Sequence, residues 1–85
     1  MIAVDIPADL NDEDETGFVW TFLDEAREPS LIEPGAIVAA GDGDAPAVAE
    51  VVDLVPKASG TVVHLRILPG LLEDYAALIR RTMRP

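Results

Sequence analysis

The sequence predicts a mainly β fold with one C-terminal α-helix, arranged as a small antiparallel, partly open barrel or a bent five-strand sheet. Three observations carry this expectation. Ala36–Ala40, Val48–Val55 and Thr61–Leu68 are short runs dominated by Val, Ile, Leu and Ala. Between them stand two turn signals, Gly41-Asp42-Gly43-Asp44-Ala45-Pro46 and Pro56-Lys57-Ala58-Ser59-Gly60. Apolar runs bounded by Gly, Pro and Asp read as strands of an antiparallel meander. Beyond them, residues 71–83 place Leu71, Leu72, Tyr75, Leu78, Ile79 and Met83 at spacings of 3 and 4, which is a helical stripe.

Residues 1–7 read as a short first strand ending at Pro7 or as a loose terminus. Residues 8–17 hold Asp9, Asp12, Glu13, Asp14 and Glu15 and end at Gly17. Like charges repel and none of these side chains belongs in a core, so this segment reads as an acidic mobile loop. Residues 18–27 read either as a strand or as a helix capped by Thr16 with Val19, Phe22, Leu23 and Ala26 on one face, and the succession of bulky and β-branched side chains from Phe18 to Thr21 favours a strand over 18–23. Phe18, Trp20 and Phe22 then line one face, and Val19, Thr21 and Leu23 the other. In a chain with only four aromatic residues, the Phe18–Trp20–Phe22 row is expected to fill the core. If Trp20 stands exposed instead, it becomes the best candidate for a protein-binding anchor. Asp24-Glu25-Ala26-Arg27 continues as a turn, stopped before Pro29.

Turn lengths set two registers. With Pro56–Gly60 as a loop, Val55 faces Thr61, which brings Val51 opposite Leu65, Ala49 opposite Ile67, and Glu50 opposite Arg66. Apolar residues meet apolar residues, and Glu50 meets Arg66, a cross-strand pair worth about 0.2–1 kcal/mol. A one-residue slip would turn every side chain to the wrong face. Across the first turn, Ala40 faces Ala47 and Val38 faces Ala49. Asp53 interrupts the apolar row and is expected at a bulge or a rim. In the 71–83 helix, Glu73 and Asp74 fall in the first turn and Arg80 and Arg81 near the last, matching the helix dipole. The strand and turn spacing of the middle half of the chain resembles small SH3-like barrels and the β-barrel domains of translation factors. No diagnostic motif accompanies that resemblance, so it implies no site, and a translation-linked role follows from it only as a fold analogy.

The chain of 85 residues supports one domain, residues 1–85. A domain of this size buries roughly 60–65% of the surface its unfolded chain exposes, which leaves a small margin. There is no cysteine, so disulfides and thiolate metal sites are excluded. Net charge is −10, unevenly placed: residues 1–53 carry 14 acidic residues and one basic residue, and residues 54–85 carry two acidic and five basic residues. An acidic half repels phosphate backbones, so direct nucleic-acid binding is disfavoured. No apolar run approaches the roughly 20 residues of a membrane span. No secretory signal follows Met1, and cytoplasmic is the default expectation.

Catalytic and cofactor motifs fail one by one. Asp9, Asn11 and Glu13 alternate as at the start of a calcium loop, but Asp14 stands where Gly is needed and Trp20 where Glu is needed. Gly41-Asp42-Gly43-Asp44 lacks the Lys-Ser/Thr of a phosphate loop and carries two negative charges. His64 is the only histidine, too few for the usual zinc sets. Strand alternation puts Asp53 and His64 on opposite faces, and Ser30 and Ser59 lie in turns. No catalytic residue, cofactor or metal ligand is therefore named, and an enzyme is not expected. The candidate partner-binding residues are Asp12, Glu13, Asp14, Glu15, Trp20, His64 and Arg66. The function expected is a small acidic interaction module or accessory subunit that docks on a basic protein partner or associates with itself. The rival expectation is an inhibitor or antitoxin-like protein that masks a basic nucleic-acid-binding partner. The basic tail, Arg80-Arg81-Thr82-Met83-Arg84, reads as a solvated helix end or as a contact for the acidic half of another copy.

Overall fold

The computed structural model describes residues 4–13 and 15–75. Five strands form one curled, half-barrel sheet: β1 (Ile6–Pro7), β2 (Val19–Phe22), β3 (Ile37–Gly41), β4 (Pro46–Lys57) and β5 (Gly60–Leu68), in the spatial order β1-β3-β4-β5-β2. β3, β4, β5 and β2 are antiparallel neighbours, whereas β1 pairs with β3 in parallel, Ile6 beside Ala40 and Pro7 beside Gly41. The sheet is therefore mixed, not wholly antiparallel. β1 lies at an edge, the place where a proline costs no ladder bond.

The β3–β4 register is the one turn chemistry dictates, Val38 opposite Ala49 and Ala40 opposite Ala47. Gly41 ends β3 at φ 101°, a conformation open to glycine but not to residues with a Cβ. In β4–β5 the expected pairs Val51–Leu65, Ala49–Ile67 and Glu50–Arg66 are all present. Towards the hairpin tip the pairing shifts by one residue: Val55 faces Val62, and Lys57 faces Gly60. The connection is thus the two residues Ala58–Ser59 rather than Pro56–Gly60. Among the described residues no non-glycine residue has positive φ, so Gly60, at φ 130°, supplies the backbone twist that this tight hairpin demands. A β-bulge between Val51 and Asp53 reconciles the two registers by giving β4 one extra residue.

The inner face of the curl is the core. Val19, Leu65 and Val51 form one cross-strand row, and Val63 with the partly buried Leu54 another. Val38, Ala40 and Ile6 extend it, and Ala26, Ile32 and Ala36 close one side. Full burial of each Val or Leu stabilises by about 1.5–3 kcal/mol. On β2 the buried residues are Val19 and Thr21, while Trp20 and Phe22 are half-buried. The aromatic row therefore does not fill the core, as its bulk suggested. Its β-branched neighbours Val19 and Thr21 face the core instead.

Short 3₁₀ turns at Leu23–Glu25 and Pro29–Leu31 follow β2. The expected C-terminal α-helix over 71–83 is not supported. Among the described residues only a 3₁₀ turn, Leu72–Tyr75, is found there, and residues 76–83 lie outside the described residues. That turn packs against β4. It is fixed by Asp74, whose Oδ2 accepts from the Leu71 amide at 3.0 Å, and by Tyr75, whose hydroxyl donates to the Pro69 carbonyl at 2.7 Å.

One buried carboxylate ties the first strand down. Asp5 is 3% exposed. Its Oδ2 accepts from the Ala39 amide at 2.8 Å, and its Oδ1 from Arg27 Nη2 at 3.1 Å. Its own amide donates to the Ala39 carbonyl, and its carbonyl accepts from the Arg27 amide. At the opposite edge the Thr21 hydroxyl donates to the Pro7 carbonyl at 3.0 Å, so β2 reaches β1 across the open seam of the curl.

Candidate functional site

Two surfaces collect the chemically active side chains. The first is the outer face of β2, β5 and β4. Trp20 lies opposite His64, and His64 opposite Asp53, so the three form one row across the strands. His64 Nδ1 and Asp53 Oδ1 are 2.6 Å apart. The strict alternation that puts these side chains on opposite faces fails here, because the bulge after Val51 turns Asp53 to the outer side. Phe18 packs beside His64 with ring centroids 6.3 Å apart, and Trp20 meets Phe22 edge-on at 5.7 Å. Such tilted and edge-on contacts suit the aromatic quadrupoles. Arg66, two residues along β5, forms an ion pair with Glu50. Trp20 is thus a half-buried member of a packed aromatic row and not a free-standing anchor. Neither serine is part of this row. Ser59 is at the hairpin tip, and the Ser30 hydroxyl donates to Glu28 at 3.4 Å.

The second surface is an open groove of about 580 Å³ at the seam of the curl. Pro7, Ala8, Leu10, Gly41 and Ala45 give it an apolar floor. Three carboxylates, Asp9, Glu25 and Asp42, line it from three separate segments of the chain. Local bonds set two of them. Asp42 Oδ1 accepts from the Asp44 and Ala45 amides, both at 2.8 Å, which shapes the β3–β4 turn. Asp9 Oδ1 accepts from the Asn11 amide at 3.0 Å. Among the described residues that line it there is no Lys, Arg or His.

None of the described residues expected to bind a partner lines this groove. Asp12, Glu13 and Glu15 are exposed, and Asp14 lies outside the described residues. Glu13 bridges Val19 in antiparallel fashion, so the acidic segment folds back on the free edge of β2 and has a fixed backbone contact there. Trp20, His64 and Arg66 come together on the outer face, and Glu13 and Arg66 line a common cleft at its margin. Sequence reasoning did not select Asp9, Glu25 and Asp42, because nothing local signals that residues so far apart converge. It also missed Asp53 as the partner of His64; the bulge expected at Asp53 was the signal that could have found it.

Among the described residues no group of three or more His, Asp or Glu is placed to hold a metal ion, and no helix is long and apolar enough to cross a membrane. Comparison of the chain with protein-family models, with curated proteins and with solved structures finds no match.

Proposed function

We propose that this protein is a non-enzymatic docking module whose acidic half engages a basic protein partner. The observation that supports this reading is the convergence of Asp9, Glu25 and Asp42 on one apolar-floored groove. Three carboxylates around one groove give it a negative rim that attracts a cationic group. An apolar floor beneath them favours the aliphatic stem of an Arg or Lys side chain. The charge excess of residues 1–53 adds long-range steering towards a basic surface.

The test is affinity capture by the whole chain at about 0.05 and 0.5 M salt, a range over which exposed charge contacts are progressively screened. It is run beside a variant carrying Asp9→Asn, Glu25→Gln and Asp42→Asn. Both Asn residues keep the side-chain oxygen that accepts the turn amides, so the fold is retained while the charge goes. Capture of one basic protein by the wild type at low salt, lost at high salt and lost in the variant, is the expected result. Equal capture by the variant overturns the reading.

A further inference from the structure

We propose that the cleft between the acidic segment and the β2–β5 margin seats one large apolar side chain of the partner, supplied by a stretch whose flanking residues are basic. This rests on the docking reading above and names where an uncharged anchor would enter. The cleft holds about 500 Å³. Leu10, Phe18, Val19 and Ile67 form its apolar walls, and Glu13 and Arg66 its polar ones.

Ile67 is the reason to expect an occupant. Val63, Leu65 and Ile67 alternate on the inner face of β5, and the first two are fully buried. Ile67 faces Ala49, itself wholly buried, yet is 40% exposed. The core stripe therefore runs out from under its cover at this point. With Leu10, Phe18 and Val19, Ile67 makes an apolar concavity rimmed by Glu13 and Arg66, the make-up of a contact site.

Charge selects the kind of occupant. One wall of the cleft is the acidic segment itself, which contributes Leu10 and Glu13 and carries the exposed Asp9, Asp12 and Glu15 alongside. The cation on the opposite wall, Arg66, is already engaged by Glu50. A side chain seated against Ile67 and Phe18 thus brings its chain neighbours against the negative charge of Asp9, Asp12, Glu13 and Glu15. Basic neighbours are attracted there, and acidic ones are repelled.

The test uses the full-length ¹⁵N-labelled chain and three pentapeptides with blocked ends, Arg-Arg-Leu-Arg-Arg, Arg-Arg-Ala-Arg-Arg and Glu-Glu-Leu-Glu-Glu, with amide shifts as the readout. The first peptide should give saturable shifts centred on residues 17–19 and 66–67, bind about tenfold more tightly than the second, and leave the third without effect. Ile67→Ser should lose about tenfold in affinity for the Leu peptide and little for the Ala peptide. Glu13→Gln, at an exposed position where folding is not at stake, should weaken both and flatten their salt dependence. Equal affinity for the Leu and Ala peptides, with shifts at Asp9, Glu25 and Asp42, overturns the cleft while leaving the docking reading intact. Absence of saturable binding by any peptide overturns the cleft as well, and capture of a basic protein then decides the docking reading independently. Dimerisation of the free chain that Ile67→Ser abolishes, seen by analytical ultracentrifugation, also overturns the proposal, because it assigns the cleft to a second copy.

Discussion

Replacing Asp5 by Ala removes the buried carboxylate that joins β1, β3 and the turn after β2. The charge-assisted bond from the Ala39 amide is worth about 1.5–3 kcal/mol, and its loss leaves a buried amide without an acceptor. The Arg27 arm adds less. Its side chain is 44% exposed, so it behaves as a surface pair of about 0.2–1 kcal/mol. Asp5→Ala should therefore cost about 2–4 kcal/mol. Asp5→Asn, which keeps an oxygen for the Ala39 amide, should cost about 1–2 kcal/mol, and Arg27→Ala below about 1 kcal/mol. A chain of this length has a total stability of about 4–13 kcal/mol, so the first variant loses a large share of it. Urea unfolding followed by Trp20 fluorescence and by circular dichroism measures all three, with coincident transitions and an unchanged slope. A cost below about 0.5 kcal/mol for Asp5→Ala, or an Arg27→Ala cost equal to it, would refute the clamp.

Deleting Val52 removes the extra residue of the bulge while every β4–β5 pair on either side keeps its partner and its face. The deletion should fold, at a cost below about 2 kcal/mol, whereas deleting Val63 from the regular part of β5 should abolish folding; circular dichroism and thermal melts distinguish them. Gly41→Ala combines a positive φ with a new Cβ 3.1 Å from the Ala45 carbonyl, and should lose about 1–3 kcal/mol in chemical denaturation. Asp53→Ala breaks the contact with His64 but exposes little, since the Asp53 side chain is 53% exposed; its cost should stay below about 1 kcal/mol, and its clearest effect should be a shift of the His64 ring signals by NMR.

The three central strands, their β3–β4 register and the Glu50–Arg66 pair were legible because local chemistry determines them: apolar runs, turn residues and the demand that apolar faces match. The β4–β5 hairpin was legible only in its inner half. Pro56 reads as a loop residue, yet its place at an exposed hairpin tip lets it remain in the strand, and the register change this forces is absorbed at Val52. That same extra residue brought Asp53 to His64, where alternation forbade it. The burial of the Val19 face over the Phe18–Trp20–Phe22 face was not legible, because strand periodicity tells two faces apart without saying which one the sheet curls around. The parallel docking of Ile6–Pro7 and the meeting of Asp9, Glu25 and Asp42 are long-range consequences of that curl. Only Asp5, a lone acid in an apolar stretch, carried a hint of the first.

The Ala39 amide is bound by a side chain, on a segment that contributes only two paired residues to the sheet. That makes it a clock. Amides of the β4–β5 ladder exchange with solvent deuterium only when several strands part together, whereas this one is freed as soon as residues 5–7 lift away. The ratio of the two exchange rates therefore gives the free energy of releasing the first strand alone. The same event opens the seam lined by Pro7 and Ala8, so a ligand held in that groove should slow the Ala39 amide before it slows any other.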